Sequence, residues 1–149
     1  MVTLLLITTV GVGLVAGVFF AFSAFVMAGL DRASDSEAAA AMRGINETAV
    51  TAPFMLAFLG ATLLCVALAV VSGLSLDETR ARLALAGAVV YVAGTFLVTI
   101  AANVPLNNRL AREDIGWRDY LGPWQARNHV RTASSTAALV LLLLALERS

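Results

Sequence analysis

The residues best suited to acid–base chemistry lie together, between Trp124 and Thr132. On a helix, Trp124, Asn128 and Arg131 share one face, because they are spaced by four and by three residues. His129, the only histidine in the chain, lies on the neighbouring face. Histidine changes charge near neutral pH, which makes it a natural general acid or base, and arginine can stabilise an anion with its fork of N–H donors. The pattern predicts a catalytic group made of His129, Arg131 and Asn128.

A second polar cluster surrounds a proline. Asn103 and Asn107 stand on either side of Pro105, at the end of an apolar stretch. Proline removes a backbone donor and disfavours the helical conformation at the residue before it, so a kink or a helix end is predicted there. Two amides at a broken helix end can bond freed carbonyls, cap a neighbouring helix or hold a ligand. We predict that Asn103, Asn107 and Trp124 bind a substrate.

Both clusters also have structural interpretations. Arg131 can extend towards lipid headgroups, and His129 can bond a neighbouring helix. The paired amides can satisfy backbone groups that the proline leaves free. The residues alone leave these alternatives open.

The count of metal-binding residues argues against a metal centre. With one histidine and one cysteine, a single chain cannot form a three-histidine zinc site or an iron site of two histidines and a carboxylate. We therefore expect no metal ligands and no cofactor. The alternative is a haem or a metal bound through His129, with any further ligands supplied by another subunit.

The composition indicates an integral membrane protein. Of the 149 residues, 60% are apolar and 13% are charged, whereas soluble domains have roughly 25% charged residues. Residues 2–30, 48–76 and 83–108 carry no charge, and each stretch exceeds the roughly 20 residues that cross a bilayer. The zero net charge gives no reason to expect nucleic acid as a partner. We expect a multi-pass protein surrounded by membrane lipids, in the cytoplasmic membrane if the chain is bacterial, and the sequence leaves a homo-oligomer open.

A fourth apolar stretch, residues 132–146, is too short to span by itself, because its length is about 22 Å. Its helix must begin earlier and bring Trp124, Asn128, His129 and Arg131 with it. We predict an all-α fold in one domain, residues 1–149, with four transmembrane helices over residues 2–30, 50–74, 80–104 and 120–147. A short hairpin joins the second and third helices, and longer loops join the first to the second and the third to the fourth.

Several short strings make the chain similar to a known family. They are Gly17 to Ser23, Ile45-Asn46, Pro53-Phe54-Met55, Asn103 to Asn107, and Trp124 followed by Asn128 to Thr132. With them the chain resembles the anthrone oxygenase-like family of small four-helix membrane proteins, which was long classed as a domain of unknown function. The resemblance covers nearly the whole chain.

The resemblance implies an oxidoreductase, a monooxygenase that acts on a small, flat, lipophilic anthrone-like or phenolic substrate. Fungal members oxidise anthrones to anthraquinones with dioxygen. Deprotonation of the anthrone gives an electron-rich anion that reacts with oxygen without a metal or a flavin. His129 would be the base, Arg131 and Asn128 would stabilise the anion, and aromatic rings including Phe22 and Phe54 would bind the substrate. A non-catalytic protein that binds lipid or quinone, and a small transporter or assembly partner, are the alternatives.

Overall fold

The computed structural model describes residues 1–51 and 53–148, and in these residues every regular element is a helix. The helices are α1 (Val2–Leu30), α2 (Asp35–Ala49), α3 (Phe54–Gly73), α4 (Thr79–Ala111) and α5 (Trp117–Glu147). Four of them, α1, α3, α4 and α5, are long and apolar enough to cross a membrane. The predicted all-α bundle of four spans is confirmed.

The long helices run antiparallel to their neighbours and pack closely. Phe19 of α1 contacts Phe54 at the start of α3, with ring centroids 6.3 Å apart. Gly94 of α4 faces Ser134 of α5 so closely that a Cβ atom on Gly94 would lie 2.1 Å from Ser134 Oγ. The core between the four helices is apolar and contains the fully buried side chains of Leu5, Val12, Cys65, Leu68, Tyr91 and Leu142.

The bundle has two layers, because α3 is much shorter than its neighbours. The 20 residues of α3 give about 30 Å of helix, which equals the hydrocarbon core of a bilayer. The 33 residues of α4 and 31 residues of α5 extend beyond that depth. There α2 takes the place of α3 and packs against the protruding ends of α1, α4 and α5 around a second core, with Met27, Ala38, Met42, Leu110, Trp117 and Tyr120. We call this the outer layer.

A capping box and surface ion pairs hold α2 in the outer layer. Ser34 is the N-cap of α2, because its hydroxyl accepts from the backbone N–H of Glu37 while the Glu37 carboxylate accepts from the backbone N–H of Ser34. The hydrogen bonds from Ser34 lower the pKa of Glu37 below its usual value. Arg118 of α5 pairs with Asp31 and Asp35 across the loop before α2.

Helix α4 passes through Pro105 and continues to Ala111, beyond the predicted end at residue 104. Just before the proline, residues Thr99–Asn103 form a π-helical turn. In such a turn each N–H bonds the carbonyl five residues earlier instead of four. This shift in the hydrogen-bond pattern accommodates the missing N–H of Pro105, so the helix does not break. Two further π-helical segments are Phe22–Val26 in α1 and Val92–Leu97 in α4. Single π turns are frequent at functional sites.

The turn between α4 and α5 allows a direct test of its backbone conformation. Glu113 has a φ of 60° and follows a helix end in which Asp114 N–H donates to Arg109 O over 2.9 Å. This is the left-handed position that glycine normally occupies. We expect Glu113→Gly to raise the free energy of unfolding by about 1 kcal/mol, measured from the melting temperature in detergent. The control is Glu113→Ala, which removes the exposed contact with Arg43 but keeps the side-chain strain, and it should give no gain.

Candidate functional site

A partly open cavity of about 140 Å³ lies where the two layers of the bundle meet. Its walls come from all five helices and are mainly apolar, with the side chains of Val18, Phe19, Phe22, Ile45, Phe54 and Met55. The position follows from the fold, since the chain leaves α2 and enters α3 here. The space lies level with the first turn of α3, where Phe54 and Met55 line it.

Arg131 supplies the only formal charge among the residues that line this cavity. Its side chain is buried, and its guanidinium carbon lies 4.2 Å from the ring centroid of Phe19 and 5.1 Å from that of Trp124. Its NH1 group donates to Thr99 Oγ1 and its NH2 group to Asn128 Oδ1. In the described part of the chain, no carboxylate pairs with Arg131 and its Nε–H has no acceptor.

Asn128 holds Arg131 in this position from behind. Its Oδ1 accepts from Arg131 over 2.7 Å, and its Nδ2 donates to Phe19 O over 2.9 Å and to Ser23 Oγ over 2.8 Å. Asn128 is fully buried but is not among the residues that line the cavity. The two bonds from Nδ2 join α5 to α1. They fix the orientation of the Arg131 guanidinium, because the carbonyl oxygen of Asn128 can point only one way once its amide donors are engaged.

His129 lies on the far side of this group, away from the cavity. Its side chain is exposed, and its Nδ1 lies 3.0 Å from Ser23 Oγ. The Ser23 hydroxyl also accepts from Asn128 and lies 2.9 Å from Thr132 Oγ1. Hydrogen bonds thus connect His129 with Arg131 through Ser23 and Asn128. His129 itself does not line the cavity.

The predicted binding residues take two different positions. Asn107, Trp124, Phe22 and Phe54 all line the cavity. The Oδ1 of Asn107 accepts hydrogen bonds from Tyr120 Oη, over 2.8 Å, and from Trp124 Nε1, over 2.9 Å. The NH₂ group of Asn107 is therefore the part that can bind a ligand. The rings of Phe22 and Trp124 lie 5.5 Å apart, centroid to centroid.

Asn103 is buried next to the cavity but is not one of its lining residues. Its Nδ2 donates to the carbonyl of Trp124 over 3.4 Å, and Arg127 takes up the carbonyl of Ala102. The Asn103 bond thus ties α4 to the interior of α5, and the carbonyl near the proline is bound by Arg127 and not by either amide. The catalytic and binding roles assigned to the predicted residues stay predictions.

Sequence reasoning did not single out Asn46 and Thr99 as site residues, although both line the cavity. The Nδ2 of Asn46 is buried and makes no hydrogen bond of normal geometry in the described part of the chain, although the Asn46 side chain lies close to the Tyr120 hydroxyl. A signal for Asn46 was present, because Met42, Ile45, Asn46 and Ala49 recur at helical spacing on one face of α2. A lone amide on the apolar stripe of an amphipathic helix indicates a polar target inside the protein.

The polar atoms that line the cavity without a partner are donors. They are Arg131 Nε and Asn46 Nδ2. The apolar side chains around them offer no hydrogen-bond acceptor. Within residues 1–51 and 53–148, no group of three or more histidine, cysteine, aspartate or glutamate side chains could hold a metal ion. The arrangement suits an oxygen anion attached to an apolar body.

Comparison with known proteins assigns the family. The sequence profile of the anthrone oxygenase family matches residues 54–141, which include α3, α4 and most of α5. No curated protein and no solved structure matches the chain. Because the match covers more than half of the chain, and because the four long apolar helices are those of a multi-pass membrane protein, this chain belongs to the anthrone oxygenase family.

Proposed function

We propose that the protein is a membrane-embedded oxygenase that converts an anthrone-like or phenolic ring system with dioxygen, and that Arg131 binds the substrate as its anion. The observation that supports this proposal is the buried guanidinium of Arg131, which faces an apolar, aromatic-walled cavity without a carboxylate partner in the described residues. A buried charge without a counterion is costly. A substrate anion would supply the missing counterion each time it binds.

The aromatic groups beside Arg131 fit a flat ligand. Phe19 and Trp124 already stack on or near the guanidinium, and Phe22 and Phe54 complete the apolar walls. A guanidinium held between rings is weakly hydrated and keeps a planar fork of donors for an oxygen anion. The site therefore favours a planar anion whose charge is delocalised over aromatic rings.

The proposed reaction balances without a bound cofactor. Loss of a proton from the anthrone methylene gives an oxyanion that Arg131 stabilises. One electron passes from this anion to dioxygen, and the resulting radical and superoxide combine into a carbon–oxygen bond. The peroxide takes up a proton, and loss of water breaks the O–O bond and gives the quinone carbonyl. One oxygen atom enters the product and the other leaves as water, as in a monooxygenase.

His129 is the proposed acceptor of the substrate proton, by way of Ser23. Because neither residue lines the cavity, a water molecule that enters with the substrate would carry the proton from the cavity to the Ser23 hydroxyl. Its Nδ1 is within 3.0 Å of the Ser23 hydroxyl, which can accept a proton on one side and donate one on the other. The exposure of His129 would then allow it to exchange the proton with water at the outer face of the bundle. We propose no metal and no organic cofactor for this reaction.

The function is tested by the fate of labelled oxygen. Protein in phosphatidylcholine nanodiscs is mixed with anthrone under ¹⁸O₂, and the product is analysed by mass spectrometry while oxygen uptake is recorded. We expect one ¹⁸O atom in each anthraquinone and one O₂ consumed per product, at a rate well above that of empty nanodiscs. Unlabelled product would contradict the oxygenase mechanism. Tight anthrone binding without oxygen uptake would instead support a non-catalytic lipid- or quinone-binding protein, the leading alternative.

The proton path gives a separate prediction. We expect His129→Ala to lower the rate of anthrone oxidation about 100-fold, the usual size of a general-base effect. Ser23→Ala should lower it to a similar extent, because it cuts the link while the histidine remains. The variant Gln125→Ala, at a half-buried position on the same helix outside the cavity, is the control. Equal activity of wild type and His129→Ala would remove His129 from the mechanism.

A further inference from the structure

Three depressions in the protein meet at the side chains of Val18 and Phe54. One is the Arg131 cavity. The second, the lipid-side groove, has a volume of about 310 Å³ and is lined by Leu14, Val15, Val18, Pro53, Phe54 and Ala57. The third, the outer groove, has a volume of about 640 Å³ and runs along α2, where its walls include Ala41, Gly44 and Thr48. Both grooves share Val18 and Phe54 with the cavity.

The two grooves lie at different depths relative to a membrane. Helix α3 is just long enough to cross the hydrocarbon core, so Ala57, in its first turn, lies inside that core. The lipid-side groove continues from there along Leu14 and Val15 of α1. The outer groove is lined by α2, which belongs to the layer beyond α3. One groove therefore opens to acyl chains and the other to the membrane surface.

The chemistry of the two grooves differs as well. All six residues of the lipid-side groove are apolar, whereas the outer groove includes the hydroxyl groups of Thr48 and Thr51. A flat lipophilic molecule concentrates in the hydrocarbon, where transfer out of water is favourable. Such a molecule meets the lipid-side groove before it meets any surface opening.

We propose that the substrate reaches Arg131 sideways from the bilayer, through the lipid-side groove and between Val18 and Phe54. The proposal rests on the proposed function in one respect, namely that the ligand is flat and lipophilic. The ring of Phe54 forms one side of the passage. It is half-buried and lies in a row of rings, 6.3 Å from Phe19 and 5.9 Å from Phe58. Val18 is on the opposite side and is 36% exposed.

The test uses substitutions that fill one groove without touching the cavity. Ala57 lines only the lipid-side groove and Ala41 only the outer groove, and neither lines the cavity. Ala67 lies on the exposed surface of α3 and in none of the three depressions. The variants Ala57→Phe, Ala41→Phe and Ala67→Phe therefore place the same ring at the proposed path, at the alternative path and at a neutral site.

Association is measured with anthraquinone delivered from phosphatidylcholine vesicles. Protein in nanodiscs is mixed with the vesicles in a stopped-flow instrument, and the quenching of Trp124, which lines the cavity, is followed. The variant Trp124→Phe gives the background. We expect Ala57→Phe to slow association at least about tenfold, because the passage must then rearrange for each event. Ala41→Phe and Ala67→Phe should behave as wild type, and all three should reach the wild-type end point.

The outcomes separate this proposal from the proposed function. An unchanged rate in Ala57→Phe, a slowing in Ala41→Phe alone, or no quenching in wild type would overturn the access path. If association depends on Ala57 but anthrone is not oxidised, the path is supported and the oxygenase function is contradicted.

Discussion

Replacement of Arg131 by methionine should abolish anthrone oxidation and leave the protein at least as stable as wild type. The loss of rate is expected to be about 100-fold or more, the size seen when one preorganised donor to an oxyanion is removed. Activity is expected to fall while stability does not, because Arg131 is buried without a carboxylate partner in the described residues. Methionine fills a similar volume and removes the uncompensated charge.

The measurements are the initial rate per folded protein and the melting temperature in the same nanodiscs. Arg127→Met is the matched control: Arg127 lies about one turn away on α5, donates to the carbonyl of Ala102 and does not line the cavity. It should keep most of the activity. Arg131→Lys should remain impaired, because an ammonium lacks the planar fork that lies over Phe19. Near wild-type turnover in Arg131→Met would show that the guanidinium has no part in the chemistry.

Replacement of Gly94 by alanine should destabilise the bundle by about 3 kcal/mol, the upper part of the usual range for overpacking. The new Cβ would lie 2.1 Å from Ser134 Oγ and 2.4 Å from Ser134 Cβ. Rotation of the serine side chain cannot relieve the second contact, so α4 and α5 must separate. This is the closest approach between these helices at any glycine, and it lies within two turns of Arg131.

The melting temperature reports this effect, and a second substitution tests its cause. In the double variant Gly94→Ala/Ser134→Gly the clash disappears, so most of the lost stability should return. Gly60→Ala is the control, because a Cβ there would meet no atom within 4 Å, and alanine in a helix should stabilise by up to about 1 kcal/mol. If Gly94→Ala melts at the wild-type temperature, the helices are not held as closely as the structure has them.

The number and nature of the spans could be predicted from the sequence because a bilayer imposes a simple rule on length and apolarity. The stretches free of charge gave four helices, and the structure has them. The outer layer could not be predicted. Its existence depends on α4 passing through Pro105, whereas local rules for proline favour a helix end. The π turn that avoids the break has no signature in the sequence.

The candidate site was predicted in part, for a related reason. Helical spacing placed Trp124, Asn128 and Arg131 on one face, and the structure has all three buried together. The same spacing put His129 one step round the helix. Whether the His129 side chain faces the cavity depends on the position of α1. The hydrogen bond between His129 and Ser23 is a contact between residues far apart in the chain. Periodicity within one helix carries no information about such contacts.

The division of the bundle into two layers has a consequence for how its selectivity can change. Helix α2 contributes Met42, Ile45, Asn46 and Ala49 to the cavity without crossing the membrane, and it lies outside the matched residues 54–141. Substitutions on that face would alter the shape and polarity around a ligand while the parts that insert into lipid keep their packing. One wall of the cavity can therefore be redesigned on a helix that lies outside the four apolar spans, while the groups on the spans, Arg131 among them, stay in place.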